Sequence, residues 1–273
     1  MSANGKVCTG FSKPYVAKYS ASGGVISYSE ARLLARGVSV DIAPNTSDDN
    51  KFYADNVEAE SASGIFTGGT VTVTVDGLFK SAEKMIMGLP DADADGFTAY
   101  GDSQKAPDLG FGYIARYMSD GVTTYVPTVL VKIKFNQPES KANTQEENID
   151  WQTQDLTATI MRGEDSNHNW KYLGTEYNTE AEAEQALKAK LGVTYYTVTQ
   201  TLTHVESTFT GSSIESGEAF AATLSADSGY TLGTVTVSMG GTDISSTAWD
   251  STTSKVTIAS VTGNIVITAT AST

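Results

Sequence analysis

Residues 70–75 of this 273-residue chain read Thr-Val-Thr-Val-Thr-Val. Successive side chains of a β-strand point to opposite faces, so this alternation puts three valines on one face and three threonines on the other. Residues 128–135 repeat the pattern, with aliphatic residues and Phe135 on one face and Lys132 and Lys134 opposite. Two strands with one apolar face each predict a sheet that packs on a hydrophobic core.

The neighbouring sequence adds further strands to this sheet. Residues 111–118 lead into a Ser119-Asp120-Gly121 turn and return through Tyr125, which predicts a β-hairpin. Pro127 lacks an N–H group, so we expect it near a strand start or on an edge strand. Another strand is predicted over Ile149–Met161, with a bulge near Gln154-Asp155 where the apolar face changes phase.

Two helices are predicted in the same region. Residues 81–87 form a short amphipathic segment after a strand. A second helix begins at Asn178-Thr179, where Glu182 completes a capping box, and it ends at Gly192. The fold class predicted for residues 1–192 is therefore mainly β, of the α+β type: a β-sandwich or barrel with a packed helix.

The composition changes abruptly after Gly192. Residues 193–273 consist mostly of Thr, Ser, Gly, Val, Ala and Ile, and Lys255 is their only lysine or arginine. Five short strands separated by Gly-containing turns are predicted there, at Tyr196–Leu202, Phe220–Leu224, Thr234–Met239, Lys255–Ile258 and Ile265–Ala269. This spacing predicts a second domain, residues 193–273, built as an immunoglobulin-like β-sandwich.

Charge and cysteine content exclude several classes of function. The chain has 18 Lys and Arg against 32 Asp and Glu, a net charge of −14, so it should repel both nucleic acid and anionic lipid. Cys8 is the only cysteine and cannot form an internal disulfide, which favours synthesis in a reducing cytoplasm. No apolar signal-peptide core and no apolar run near the ~18 residues of a membrane span are visible, so we expect a soluble protein.

The sequence offers little for catalysis. His168 and His204 fall in different domains without a nucleophile motif or metal-ligand spacing beside them, and no phosphate-binding loop is present. We therefore expect no enzyme and no catalytic residues.

One acidic motif is a candidate metal site. The pattern Asp91-x-Asp93-x-Asp95-Gly96-x5-Asp102 matches the ligand spacing of an EF-hand calcium loop, with Asp in place of the final Glu. The flanking sequence is not helical, so the alternative is a plain acidic loop. Calcium is the only cofactor that the sequence suggests.

A long polar segment from Pro44 to Gly64 is the candidate interaction element. Segments of this length in a compact domain are usually functional or disordered. Its adjacent aromatics Phe52 and Tyr53 need a surface on which to pack. Two alternatives stay open: an Ω-loop folded on its own domain, or an arm that reaches a neighbouring subunit.

Several motifs in order resemble one family across about Val7–Leu191. They are Lys51-Phe52-Tyr53-Ala54-Asp55-Asn56, Phe66-Thr67-Gly68-Gly69-Thr70, Val75-Asp76-Gly77-Leu78, Phe111-Gly112-Tyr113-Ile114 and Thr153-Gln154-Asp155-Leu156-Thr157-Ala158-Thr159-Ile160. Together they resemble the major tail proteins of long-tailed phages with non-contractile tails. The segment after Gly192 resembles the immunoglobulin-like modules that are appended to phage structural proteins.

The resemblance implies a structural virion protein. Members of that family form hexameric rings that stack into a tail tube, through which phage DNA passes during ejection without specific binding. It implies that Lys51, Phe52, Tyr53, Ala54, Asp55 and Asn56 belong to an arm at the subunit interface. The expected partners are further copies of the chain, the tape-measure protein and other tail proteins, in a virion assembled in the cytoplasm of a bacterial host. The C-terminal module would project outward, where weak adhesion to a host-surface glycan is one expected role.

Two rival interpretations belong to other classes. The first is a cell-surface or secreted β-rich protein that binds carbohydrate. The second is a phage head-decoration or tail-tip protein. Rings or tubes in electron micrographs would favour the tail-tube interpretation, whereas dispersed monomers with affinity for glycans would favour the first rival.

Overall fold

The computed structural model describes residues 5–62, 64–102, 104–140, 144 and 152–273, with the backbone alone at 50, 52–54 and 57–62. The chain forms two compact units, Met1–Gly192 and Val193–Thr273, which divide at the glycine where the composition changes. Strands make up 53% and helices 9% of the structure, and several antiparallel sheets are present. The prediction of a mainly β chain is confirmed.

The first unit contains two helices and ten strands within the described residues. Their bounds are β1 (Val7–Ser22), β2 (Val25–Leu33), β3 (Gly37–Thr46), β4 (Asn50–Ala54), β5 (Val57–Ala62), β6 (Phe66–Val75), α1 (Lys80–Met87), β7 (Leu109–Ser119), β8 (Val122–Phe135), β9 (Gln154–Met161), β10 (Lys171–Leu173) and α2 (Glu180–Lys190). Eight strands form one sheet in the order β2-β1-β7-β8-β9-β6-β3, with β10 also paired to β8. Both predicted helices and the predicted β7–β8 hairpin are confirmed.

This sheet curves strongly, because its two end strands are neighbours in sequence. In a flat sheet, six inter-strand steps would separate β2 from β3 by roughly 29 Å. Only residues 34–36 join them, and the four Cα steps from Leu33 to Gly37 reach at most ~15 Å. The sheet therefore bends until Phe11 on β1 packs directly against Gly37 on β3, where an added Cβ would lie 2.2 Å from the ring.

The concave side of the sheet encloses the main core. Val71, Val73 and Val75 of β6 are fully buried, as their alternation predicts. They belong to one cluster with residues of β7, β8, β9 and helix α1, which include Phe111, Leu130, Ile133, Leu156, Ile160, Ala82, Met85 and Ile86. Each fully buried aliphatic side chain contributes about 1.5–3 kcal/mol, so this cluster is the main stabilising feature of the unit.

Helix α2 packs on the convex side of the sheet, over β1, β7 and β8. Its residues Ala183, Leu187 and Leu191 are fully buried in a second cluster, which also contains Tyr15, Ala17, Ile114 and Val129. Thr179 is the N-cap and forms the predicted capping box with Glu182. Strands β7 and β8 are thus covered on both faces by apolar side chains.

The carboxylate of Glu184 on α2 contacts two side chains of β1. Glu184 accepts a hydrogen bond from Tyr15 Oη at 2.6 Å and pairs with Lys13 Nζ at 2.9 Å. Partial burial acts to raise the pKa of Glu184, but the Tyr15 hydrogen bond and the Lys13 charge outweigh it, and the pKa lies below its ordinary value.

The second unit contains nine strands and one short helix. Their bounds are β11 (Tyr195–Thr203), β12 (Val205–Ser207), β13 (Ser213–Glu215), β14 (Phe220–Ala226), β15 (Thr231–Met239), β16 (Thr242–Asp243), α3 (Ser245–Ala248), β17 (Trp249–Asp250), β18 (Lys255–Ile258) and β19 (Ile265–Ser272). All five strands predicted in this region are confirmed. The nine strands of the unit form a five-stranded sheet, β13-β11-β19-β15-β16, and a four-stranded sheet, β12-β14-β18-β17.

Both sheets contribute to one core. Phe220, Leu224 and Val256 from the smaller sheet lie in the same cluster as Ile265 and Ile267 from the larger one. The terminal strands β11 and β19 pair in parallel, whereas the other pairs in this unit are antiparallel.

Three local predictions need correction. The segment Pro44–Gly64 is not a long loop, because most of it is strand: the end of β3, then β4 and β5. The strand predicted over Ile149–Met161 begins at Gln154 and pairs with β6 in continuous register, so no bulge lies there; residues 149–151 are outside the described part.

Pro127 is the third correction, because it lies in the middle of the internal strand β8. Tyr125 exchanges both backbone hydrogen bonds with Tyr177, so residue 127, two positions on, faces the same side. There its carbonyl accepts from Gly174 N at 2.8 Å, and its nitrogen faces the irregular residues 174–176 instead of the β7 ladder. The missing N–H group therefore breaks no bond to β7.

Candidate assembly surfaces

Two strands of the large sheet have an open edge. Among the described strands, β2 pairs only with β1 and β3 pairs only with β6. Each presents unpaired backbone N–H and C=O groups along one side, which is the usual template for pairing with another chain. Pro44 lies near the end of β3, whereas residues 37–43 carry no proline, and Val38 is 53% exposed.

Strands β4 and β5 form a two-stranded ribbon that continues the β3–β6 pair beyond the sheet. The last β3–β6 partners are Thr46 and Phe66, and pairing resumes between Asn50 and Ala62. The tip is a two-residue turn at Asp55 and Asn56, with φ of 49° and 63°. Two successive left-handed residues are the hallmark of a type I′ hairpin turn, which asparagine and aspartate tolerate well.

Backbone and side-chain hydrogen bonds fix the base of the ribbon. Ser47 N donates to Ile65 O at 2.8 Å, Ile65 N donates to Ser47 Oγ at 3.0 Å, and Gly64 N donates to Asp49 Oδ1 at 2.8 Å. A Cβ at Gly64 would lie 1.9 Å from Ser47 O, so only glycine fits this crossing. The ribbon therefore leaves the sheet through a defined junction.

The six predicted arm residues all lie in this ribbon. Lys51, Phe52, Tyr53 and Ala54 are in β4, and Asp55 and Asn56 form the turn. Lys51 and both turn residues are exposed. Within the described strands the ribbon pairs with no third strand. A two-stranded hairpin alone is only marginally stable in water, so this element gains most from a partner surface.

The convex side of β3, β6 and β9 is a polar face that α2 leaves uncovered. We use the name polar face for the side chains opposite the buried valines. Register places Thr72 between Asp41 and Thr157, and Thr74 between Ser39 and Asp155. The next row is Ala43, Thr70, Thr159 and Lys134.

These side chains are exposed or half-buried, and Thr74 Oγ1 donates to Asp155 Oδ1 at 2.6 Å. Lys134 Nζ lies 3.8 Å from an Asp108 oxygen, so part of its charge is offset. The polar face is a layer of hydroxyl groups with two carboxylates and one lysine. Sequence alternation predicted the threonines' orientation, but only the strand order shows that they form a continuous surface.

The acidic loop does not gather its aspartates around one point. Asp93 Oδ1 accepts from the backbone N of Asp95 at 3.1 Å and of Phe97 at 2.8 Å, which makes it a turn-forming residue. Asp91 pairs with Lys84, and this hydrogen bond and charge lower the pKa of Asp91. Asp102 is exposed. In the described part of the chain, no three His, Cys, Asp or Glu side chains converge to hold a metal ion.

A tyrosine closes the acidic loop onto helix α1. Tyr100 Oη donates to Glu83 Oε1 at 2.7 Å. Burial and this carboxylate raise the pKa of Tyr100 to about 12. Phe97 beside it stays 73% exposed.

The two histidines have structural contacts. His204 stacks on Tyr230 at 4.0 Å and its Nδ1 lies 3.5 Å from Asp227 Oδ2. His168 Nδ1 lies 3.3 Å from Gly163 O.

No helix in the described ranges is long and apolar enough to cross a membrane.

The second unit presents a hydroxyl-rich sheet face. Thr201 and Thr236 flank Thr268 on β19, and Thr203 faces Thr270. Val266 is the only large apolar side chain that is exposed among the described residues of this unit. Such a face is strongly hydrated, and it lacks an exposed aromatic ring on which a sugar could stack.

Comparison with known proteins leaves the family resemblance as a hypothesis. Neither a scan with protein-family models nor a search of curated proteins gave a match to this chain.

Proposed function

We propose that this chain is a major tail tube subunit of a long-tailed phage with a non-contractile tail. Copies would close into rings, hexameric in the family it resembles, and the rings would stack into a tube that conducts DNA. The observation that carries the proposal is one curved sheet in which β2 and β3 each pair on one side only among the described strands, with a β4–β5 ribbon that pairs with no third described strand. A chain with these features is completed by copies of itself, with no need for a different ligand.

The open edges supply the ring contacts in this proposal. Edge pairing between neighbours would satisfy the free N–H and C=O groups of β2 and β3, at about 0.5–1.5 kcal/mol for each hydrogen bond. Such bonds give register and direction, and apolar burial around them supplies most of the affinity. Interfaces of permanent assemblies generally bury more than ~2,000 Å².

The polar face is our candidate for the wall of the channel. DNA-binding proteins gain affinity when lysines and arginines displace counterions from phosphates. A surface of threonines with Asp41, Asp155 and a single partly neutralised Lys134 lacks the cations for this. DNA would therefore slide past a hydrated, weakly negative wall, which agrees with the net charge of −14.

The second unit is proposed to be an immunoglobulin-like decoration. Two sheets of short strands around one core, without a disulfide, support this assignment. In a tube the module would lie outside, where it cannot obstruct DNA. Its threonine-rich face suits hydration and shielding, and weak adhesion to a host-surface glycan remains a proposed role. The tape-measure protein and other tail proteins are the further proposed partners, in a virion assembled in the bacterial cytoplasm.

Electron microscopy of the purified full-length chain tests the proposal. Negative-stain images over a range of protein concentrations should show rings or tubes with a central channel, and light scattering should give a mass that is a multiple of 28.8 kDa. Monodisperse 28.8-kDa particles at every concentration would count against it, and glycan affinity in such particles would favour the carbohydrate-binding alternative.

A further inference from the structure

The edge strands of the two units differ in length. In the first unit, β2 and β3 pair on one side only among the described strands, and they are nine and ten residues long. In the second unit, β13 and β16 bound the larger sheet and β12 and β17 bound the smaller one, and each has only two or three residues. Very short edge strands are one of the ways in which proteins avoid pairing with another chain. The second unit therefore offers little backbone for strand addition.

Exposed apolar side chains are concentrated in the first unit. Of the eleven large apolar side chains that are exposed among the described residues, ten lie in the first unit and one, Val266, lies in the second. The second unit is nearly a third of the chain, so its length does not account for this difference. All six of its aromatic side chains are buried or half-buried: Tyr195, Tyr196, Phe209, Phe220, Tyr230 and Trp249. Its surface therefore lacks the apolar patches through which proteins usually associate.

The outer faces of both sheets of the second unit are polar. Thr201, Thr268 and Thr236 form one row across the larger sheet, and all three are exposed. On the smaller sheet, Lys255 and Thr257 of β18 are exposed on the outer face. Each hydroxyl binds water as both donor and acceptor. Contact with another surface would remove this water, which costs free energy unless new hydrogen bonds replace the lost ones.

The charge of the second unit also opposes association between copies of it. The unit has six carboxylates against the single Lys255, a net charge of −5. Two such modules repel each other over a Debye length, which is ~10 Å at 0.1 M ionic strength. This repulsion adds to the hydration of the hydroxyl groups, and it is the only one of the two effects that salt screens.

We propose that the second unit keeps assembled tubes from associating side by side. This inference rests on the proposed function, in which the module lies on the outside of the tube. A tube repeats each of its surfaces many times along its length, so even a weak lateral contact is multiplied into stable bundling. The first unit has the long edge strands and the exposed apolar side chains that favour such contacts. The second unit has a hydrated, acidic surface with short edge strands, which opposes them.

A triple variant makes the larger sheet of the second unit apolar without weakening its fold. Thr201→Val, Thr236→Val and Thr268→Val remove one row of hydroxyl groups and place three valines close to the exposed Val266. Valine is β-branched like threonine and equally suited to a strand, and the three positions are exposed. The thermal unfolding midpoint should therefore stay close to that of the wild type.

The matched control makes the same three exchanges on the polar face of the first unit, which lines the channel in the proposed function. Its substitutions are Thr70→Val, Thr72→Val and Thr159→Val, on neighbouring strands. In electron micrographs we expect separate tubes from the wild type and from the control. The second-unit variant should form side-by-side bundles and scatter more light at equal protein concentration. Separate tubes from the second-unit variant, or equal bundling of the control, would overturn the inference.

Salt separates the contribution of the hydroxyl groups from that of charge. At about 1 M salt the Debye length is ~3 Å, so repulsion between modules is screened. Wild-type tubes should stay separate there, because hydration of the hydroxyl groups persists, and wild-type bundling at this salt concentration would overturn their role.

A chain that ends at Gly192 gives a further readout, since both core clusters of the first unit consist of its own residues. We expect it to form tubes that bundle. Wild-type protein that never assembles overturns the proposed function and this role with it, whereas separate tubes from every variant overturn this role alone.

Discussion

Reversal of the charge of the polar face gives the most informative perturbation of the proposed channel. Asp41 and Asp155 lie one row apart on this face, opposite Thr72 and Thr74. With Lys134 they give the face a net charge of −1, and replacement of both aspartates by lysine raises it to +3. The fold should tolerate the change, because both carboxylates are exposed and only the Thr74 hydrogen bond is lost, at about 0.5–1.5 kcal/mol.

The expected effect on DNA binding follows from counterion release. Each phosphate neutralised by a lysine contributes about −0.9 to the slope of log K against log salt, so three lysines give roughly −2.7. The affinity of Asp41→Lys with Asp155→Lys for a short duplex should then fall about 40-fold between 50 and 200 mM salt. The wild-type chain should show no binding of this kind, because its face offers a single lysine.

Fluorescence anisotropy of a labelled 20-base-pair duplex, titrated at several salt concentrations, measures both quantities. The control is Asp95→Lys with Asp102→Lys on the acidic loop, which also moves the net charge from −14 to −10. We expect this control to bind DNA more weakly than the polar-face variant. Equal binding by the two variants, or a steep salt dependence in the wild type, would refute the assignment of the polar face as the channel wall.

Three further predictions concern stability, assembly and metal binding. Glu184→Gln should lower the free energy of unfolding by about 1 kcal/mol at pH 7. Because the folded-state pKa of Glu184 is lowered, this difference should persist above the unfolded value of 4.5 and vanish as pH falls through the folded value, in denaturant titrations at several pH values. Deletion of Val193–Thr273 should leave rings and tubes intact, since the first unit has its own core, whereas replacement of residues 50–62 by Asn-Gly should abolish stacking; micrographs that show the reverse would contradict this division. Asp93 is committed to turn hydrogen bonds, so calorimetric titration with calcium should give no binding heat, and a heat that Asp93→Ala removes would restore the calcium hypothesis.

The sequence predicted correctly those helices and strands that depend on residues close together in the chain. The alternation at residues 70–75 gave strand β6 with its buried valines, and the capping box at Thr179 gave the start of α2. The Asp120-Gly121 turn fixed the β7–β8 hairpin, because both residues take a positive φ that this dipeptide favours.

The ribbon was less visible, because Asp48, Asp49, Asn50, Asp55 and Asn56 give the segment the composition of a loop. Residues 44–64 therefore looked like a polar loop, although the Asp55-Asn56 pair is a hairpin-turn signal in its own right. The prediction that Pro127 lies near a strand start or on an edge strand was wrong for a different reason. Only the three-dimensional path of residues 174–177 shows which side of β8 its nitrogen faces.

The candidate assembly surfaces depend on pairing between strands that are far apart in the sequence. No local sequence pattern predicts this pairing. Whether β2 and β3 are edge strands follows from the strand order, and the polar face exists only because β3, β6 and β9 lie side by side. In the aspartate motif, the residue spacing matches that of a calcium loop. In the described part of the chain, however, no three metal-ligating side chains come together.

Cryo-electron microscopy of the full-length protein at high concentration tests most directly whether copies of the chain pair through β2 and β3. We expect a map in which the free sides of β2 and β3 are hydrogen-bonded to strands of neighbouring copies around an open channel. A map of separate subunits, with both strand edges facing solvent and no channel, would contradict it.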